Sequence, residues 1–291
     1  MEELDVITEA LRNASGIVRG GDRTAESKGT AVGTYDVVTG SDVLAERSII
    51  DSILSRFPED SIVSEETNPD GEERGRSWVI DPIDGTMNFS RGMPMYGMQA
   101  VFTVDRVPMA SAIYLPAFDE MFTASGEGAF LNGSPISTAE PRPLKECIVS
   151  TGDYSRRREE FRRGQAVLMS ECYDNVARFK MMGAACMDFA YLACGRTDIH
   201  IRFVNRRWDF LPGLYLAERA GAVYDRDLME EYSLLILCSC GDVLEETVEE
   251  IAPRLISCFR RSWPDRRAGP PAGSSRSPPP RCGSPPLRSC P

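Results

Sequence analysis

Only one histidine, His200, occurs in the 291 residues. It sits in the alternating run Thr197-Asp198-Ile199-His200-Ile201, which reads as a structural strand position. A histidine-based hydrolytic triad and a phosphohistidine route are thereby both removed. No apolar run approaches the length of a membrane span, so no membrane partner is expected. The start, Met1-Glu2-Glu3-Leu4-Asp5, lacks the basic-then-apolar form of a secretory leader, and a cytoplasmic location is expected. A glycine-lysine nucleotide loop is missing as well. Gly126-x-Gly128 has neither a third glycine nor a following helix, and reads as a hairpin turn. The nine cysteines show no regular spacing. Cys238-x-Cys240 is too tight and too isolated for a zinc site, while Cys186 and Cys194 fall on an apolar helix, so reduced, mostly buried thiols are expected.

With 42% hydrophobic and 26% charged residues, the composition suits one large or two small globular domains. The net charge of −11 conceals a division. Residues 260–291 hold seven Arg and one Asp, which leaves −17 on the remainder. An acidic body argues against nucleic acid as a partner. It also makes an anionic substrate awkward unless cations offset the field. The basic tail carries nine Pro in its last 32 residues and too little apolar surface to offset ordering, so residues 259–291 read as disordered. A non-native extension and an added basic interaction tail both fit that composition.

The most informative stretch runs from Trp78 to Phe89, WVIDPIDGTMNF. Trp78, Val79 and Ile80 are β-prone and apolar, and Pro82 is expected to stop the strand at Asp81. Asp81 and Asp84 then share a turn with Gly85 and Thr86. Two carboxylates about 4 Å apart repel by about 4 kcal/mol at an effective dielectric near 20. A cation must compensate or one acid must take a proton. Oxygen ligands without nearby His or Cys favour Mg²⁺, Mn²⁺ or Ca²⁺ over zinc. Upstream, Ser64-Glu65-Glu66-Thr67 follows the apolar pair Ile62-Val63 and is expected to end a neighbouring strand. Downstream, Trp208-Asp209-Phe210-Leu211-Pro212-Gly213 places another acid at the start of an apolar helix, with Pro212 in its first turn.

Glu65-Glu66, DPIDGTMNF and WDFLPG, in that order, resemble the motifs of the inositol monophosphatase family of metal-dependent phosphomonoesterases, over about Met1 to Leu255. The resemblance implies an α+β fold, the layered α-β-α-β-α sandwich of sugar phosphatases, and often a homodimer. It implies two or three Mg²⁺ ions, with Mn²⁺ as a substitute, held by Glu65, Asp81, the Ile83 carbonyl, Asp84 and Asp209. Glu65, Thr86 and Asp42 would activate water, Asp42 polarising Thr86. The Gly85 and Thr86 amides would hold phosphate, and Gly183, Ala184 and Ala185 would lie beside the substrate ring. Lys28, in a polar glycine-containing loop, matches a lysine that helps hold a metal; a solvated loop lysine is the plainer alternative.

One departure bears on substrate. Animal members carry an acid some seven positions before the W-D aspartate, where this chain has Arg202. With Asn205-Arg206-Arg207, this is more similar to archaeal-type members that also accept fructose 1,6-bisphosphate, since arginine suits a second phosphate. A basic cluster at a strand edge explains the same residues. The implied activity is hydrolysis of inositol monophosphate and/or fructose 1,6-bisphosphate. Alternatives are a phosphatase for 3′-phosphoadenosine phosphate or NADP, and a catalytically silent regulator that binds metal or sugar phosphate.

The order of elements follows from periodicity and turn residues. An amphipathic helix over 2–19 ends at Gly20-Gly21. An extended run over 35–40 precedes a helix to about Arg56, capped by Ser41 or Asp42. Short runs over 97–104, 108–115, 120–124 and 129–131 predict an antiparallel meander. A strand at 147–150, helices over 155–170 and 184–194, a strand at 197–201, a helix from Asp209 to Gly221, strands at 222–224 and 234–237, and a helix over 241–255 complete the chain. The motif-bearing half is expected over 1–140 and the half completing the site over 141–258.

Overall fold

The structure is a computed structural model, and it describes residues 1–29, 37–152, 159–204 and 206–260. Thus parts of the runs expected at 28–34, 35–40 and 155–170, together with Asn205 and residues 261–291, lie outside the described residues.

Helix α1 (Glu2–Gly20) buries Val6, Ile7, Ala10, Leu11, Ala14 and Val18 on one face. Strands β1 (Ala25–Ser27) and β2 (Val37–Thr39) form a small antiparallel pair, and α2 (Gly40–Arg56) follows. Its N-cap is Thr39, not Ser41 or Asp42 as expected. Asp42 instead occupies the third helical position and accepts the Thr39 backbone N–H at 2.8 Å, the reciprocal half of a capping box.

Strand β3 (Ser61–Ser64) runs parallel to β4 (Arg76–Asp84). The strand expected to stop at Asp81 continues to Asp84, because Pro82 falls in a bulge. The register with β5 (Gly97–Val104) passes from Asp81↔Gln99 to Asp84↔Gly97. A bulge leaves residues without ladder partners, so a missing N–H costs little there. The helix α3 (Thr86–Ser90) comes next, then β6 (Val107–Leu115), β7 (Glu120–Ser125), β8 (Gly128–Leu131) and β9 (Ser134–Pro135). The seven strands β3 to β9 lie in chain order in one sheet, the expected meander included.

The second sheet has the order β11-β10-β12-β14-β13. It comprises β10 (Ile148–Thr151), β11 (Arg178–Met181), β12 (Ile199–Phe203), β13 (Val223–Tyr224) and β14 (Leu234–Cys238). Between them come α4 (Glu159–Asn175), α5 (Ala185–Ala193), α6 (Arg207–Arg219) and α7 (Arg226–Tyr232). Helix α7 went unforeseen, its seven residues being too few for a periodic pattern. The last expected helix is two, α8 (Gly241–Glu250) and α9 (Ala252–Arg260).

The cores define the layers. α1 and α2 pack on one face of the large sheet through Ile7, Leu11, Ile49, Trp78 and Ile80. α5 and α6 fill the space between the sheets, where Phe189 and Leu216 meet Ile113 and Phe122 on one side and Leu235 and Leu237 on the other. α4, α8 and α9 cover the far face through Leu168, Val243 and Leu255. This is an α+β fold of five α-β-α-β-α layers.

Candidate active site

Strand alternation decides where the motif acids face. Trp78 and Ile80 point toward α1 and α2, whereas Val79 packs against Trp208 and Leu211 of α6. Asp81, two residues beyond Val79, shares its face and so meets the start of α6, where Asp209 lies. The bulge turns the chain after Asp81, leaving Ile83 buried in the core and Asp84 half-buried.

Glu65, Asp81, Asp84 and Asp209 come together from three separated segments. Burial, followed by the charges of Glu65, Asp84 and Asp209, pushes the Asp81 carboxyl well above its ordinary range. Burial also lifts Asp84 to about 6, against the lowering effect of the Cys186 amide and Arg202. Asp209 rises to about 7 for the same primary reason, with Glu65 and Asp84 adding and Arg202 subtracting. One oxygen of the buried Asp81 has no hydrogen-bond partner among the described residues. The other is 3.5 Å from the Gln99 amide nitrogen. Orphaned anionic oxygen and mutual repulsion are what a hard divalent cation relieves, so the donor set fits one. In these side-chain positions, among the described residues, no three acidic, thiol or imidazole groups are drawn tightly enough to grip a single ion.

Part of the acidic field is met by the chain itself. Lys28 Nζ lies 2.8 Å from Glu65 Oε1 and 2.7 Å from Glu66 Oε1. Burial disfavours the ammonium, but the two glutamates outweigh it and raise its pKa. Burial, with Glu65 adding, lifts Glu66 to about 7 despite Lys28. Lys28 is therefore not a solvated loop lysine but is ion-paired with both glutamates.

The turn at Gly85 is built by contacts from both halves of the chain. Gly85 has φ of +86°, and a Cβ there would sit 2.9 Å from the Ala184 Cβ and 3.0 Å from the Met95 carbonyl oxygen. Gly183 and Ala184 thus press directly on the motif turn, and Ala185 begins α5 behind them. The Cys186 N–H in the first turn of α5 donates to Asp84 Oδ2, so this carboxylate complements the helix N-terminus. The Thr86 hydroxyl has one proton and two acceptors within reach, Ile83 O at 2.9 Å and Asp42 Oδ1 at 3.1 Å. Thr39 Oγ1 donates to the other Asp42 oxygen at 2.5 Å. Burial raises the Asp42 pKa, opposed by its Thr39 and Thr86 hydrogen bonds.

The arginines divide. Arg202, on β12, has a side chain only 11% exposed, with Nη1 3.1 Å from the Asp209 carbonyl and Nη2 4.0 Å from Asp209 Oδ2. Its buried Nε has no partner among the described residues. Arg207 is committed elsewhere, to Glu73, whose carboxylate also accepts the Thr103 hydroxyl. Arg206 lies over the Trp208 ring. Of the expected basic group, Arg202 touches Asp209 directly and keeps an Nε without a partner among the described residues, while Arg206 acts on Asp209 through its charge. His200 is buried, hydrogen-bonded to Ser150 and edge-on to Phe189, a structural role.

Sequence reasoning missed three contributors. Asn88 donates to the Met95 and Met182 carbonyls, tying α3 to the Gly183 turn. Gln99 faces Asp81 across the ladder. Glu46, buried on α2, binds the turn that follows Glu65. Only Glu46 had a legible signal, its place four residues after Asp42 on one helix face.

Comparison with known proteins gives the family. The inositol monophosphatase family matches residues 2–256. "Nus factor SuhB" of Pasteurella multocida is 29% identical, covering 89% of this chain and 98% of its own. "Fructose-1,6-bisphosphatase/inositol-1-monophosphatase" of Thermotoga maritima is 30% identical over 77% of this chain and 84% of its own. The solved structure of a Thermotoga maritima IMPase superposes with a TM-score of 0.77 at 27% identity, covering 90% of this chain and 99% of that one. The acids that converge on the Gly85 turn are thus set in the frame of known phosphatases, and the chain belongs to the inositol monophosphatase family.

Proposed function

We propose that the chain is a Mg²⁺-dependent phosphomonoesterase for a small phosphorylated polyol or sugar, inositol monophosphate and/or fructose 1,6-bisphosphate. The observation that carries this is the convergence of Glu65, Asp81, Asp84 and Asp209 beside a Gly85-Thr86 turn. Glu65, Asp81, the Ile83 carbonyl, Asp84 and Asp209 would hold two or three Mg²⁺, or Mn²⁺. When bound, these ions supply positive charge toward phosphate and the leaving alkoxide and make water a better nucleophile at neutral pH.

The chain's own groups do the rest. Glu65 orients the attacking water through its carboxylate. Thr86, its hydroxyl held between Ile83 O and Asp42, passes a proton toward the Asp42 carboxylate. The Gly85 and Thr86 N–H groups would donate to phosphate oxygens at the turn. Gly183, Ala184 and Ala185, packed against the motif turn, would flank the substrate ring, and the spare donors of Arg202 favour a second phosphate. A homodimer is the expected assembly, and every group named comes from one chain.

A regulator without catalysis is the second reading, favoured by the name "Nus factor SuhB" of several relatives. Phosphate release from inositol 1-phosphate, fructose 1,6-bisphosphate and 3′-phosphoadenosine phosphate, each with Mg²⁺ and with excess chelator, separates the two. Chelator-sensitive release from at least one substrate is expected. No release from any of them refutes the hydrolase.

A further inference from the structure

Glu46 is fully buried on α2, one helical turn beyond Asp42. Oε2 accepts the Glu66 N–H at 2.9 Å and Oε1 the Thr67 N–H at 2.7 Å. These are the two amides that follow Glu65. Among the described residues no cation pairs with Glu46, so stability alone is a poor reason for it. Burying a carboxylate is costly, and a well-packed apolar residue often serves as well. Charge-assisted bonds to successive amides do supply direction, because they are short and about twice as strong as neutral ones.

The direction has an object. Glu65 lies between β3, whose ladder to β4 it extends by donating its N–H to Ile80 O at 3.2 Å, and the two clamped amides. Its backbone is held on both sides, and its carboxylate faces Asp81, Asp209 and Lys28. The same face of α2 carries Asp42, which receives Thr86. α2 itself is seated by Ala45, Ile49 and Ile53 beneath the sheet. One rigid helix therefore grips both the Glu65 turn and the Thr86 hydroxyl.

We propose that Glu46 is a positioning residue: by clamping the Glu66 and Thr67 amides it aims Glu65 at the ions and water of the site. The inference rests on the metal-site reading above. Loss of a buried group that orients a metal ligand commonly costs 10–100-fold in metal affinity.

The test uses the full chain with Glu46→Gln and Glu46→Asp. The first keeps the length but replaces one acceptor by an N–H₂ donor; the second keeps the charge but not the reach. Mn²⁺ affinity is measured by calorimetry without substrate, and amide exchange at Glu66 and Thr67 by NMR. Both variants should fold, exchange faster at those two amides and bind Mn²⁺ at least 10-fold more weakly. With substrate, kcat should fall while KM changes little. Folded variants that bind Mn²⁺ within about twofold of wild type would overturn the proposal, taking 10-fold as the floor for such groups. A variant that unfolds outright makes Glu46 an anchor of the whole fold and overturns it equally. Wild-type protein that binds Mn²⁺ but releases no phosphate sinks the hydrolase alone, and the Mn²⁺ series still decides Glu46. Wild-type protein that binds no Mn²⁺ overturns both.

Discussion

Asp84→Asn should raise the stability of the metal-free protein while abolishing turnover. Asp84 is half-buried among like charges, and its carboxyl is lifted from 3.8 to about 6. That difference corresponds to about 3 kcal/mol against the charged form in the folded state. Water reaching the carboxylate reduces the penalty, so about 1–3 kcal/mol is expected. The sign follows from proton counting. The folded acid holds its proton more tightly than the unfolded one, so the penalty is absent below about pH 4 and complete above about pH 6. Asparagine carries no charge, yet its carbonyl can still accept the Cys186 N–H. In chelator at pH 8 the variant should melt several degrees higher, taking about 2–4 °C per kcal/mol for a chain of this size. Near pH 4 the two proteins should melt together. Mg²⁺ at about 100 times its dissociation constant should stabilise wild type by about 2.7 kcal/mol, and the variant far less. Near-wild-type phosphate release by the variant would refute the ligand role of Asp84. A variant less stable than wild type in chelator at pH 8 would refute the electrostatic account.

Arg202→Gln should lower kcat/KM at least about 10-fold more for fructose 1,6-bisphosphate than for inositol 1-phosphate, since a lost bond to a charged group costs about 1.5–3 kcal/mol; equal losses in the two release assays would end the second-phosphate role. Gly85→Ala forces a side chain into a φ of +86° and against Ala184 Cβ and the Met95 carbonyl. It should cost at least about 1–2 kcal/mol by chemical denaturation, with phosphate release nearly lost; adding Ala184→Gly should recover only part, because the backbone angle and the carbonyl contact remain. Burial, then the charge of Arg202, holds the His200 pKa well below 6.5. The unfolded chain therefore takes up a proton that the folded one refuses, and stability should fall by up to about 1.4 kcal/mol per pH unit as pH drops below about 6.5. Urea titrations of wild type and His200→Gln should differ by this slope, and parallel profiles would contradict it.

How much of this was legible depends on whether position is set locally or across the chain. The meander was readable because apolar runs and turn residues repeat at strand length, and α1 because its buried face recurs with helical period. Boundaries failed where a tertiary partner overrode a local signal. Pro82 ends a strand in isolation, but a bulge beside β5 removes the need for its N–H and β4 runs on to Asp84. Asp42 has the residue type of an N-cap, yet Thr39 takes that place, because Asp42 in the first turn can bind the Thr39 amide and Thr86 together. Arg206 and Arg207 were read with Arg202 as one basic group, and nothing in their spacing indicates that Glu73 and Trp208 engage them.

The same reasoning explains why the acids were the easiest residues to find and their supports the hardest. A carboxylate aimed at a cation must sit where burial and like charge both penalise it. Such placements demand unusual local sequence: a strand broken by D-P-x-D-G, or an acid at the head of an apolar helix. The groups that hold those acids in place are satisfied by hydrogen bonds to partners from elsewhere in the chain and demand no unusual local sequence. Glu46 needs only to be an acid on a helix, Asn88 a side-chain amide after a turn, and Gln99 a polar residue on a central strand. Each type is common, and its partner lies 20, 94 and 18 residues away respectively. Metal affinity in a site of this kind is therefore spread over residues whose identity carries little signal until the chain is folded. Substitutions at Glu46, Asn88 and Gln99 should accordingly weaken Mn²⁺ binding more than their distance from the ions suggests, as oriented hydrogen bonds to ligands commonly do.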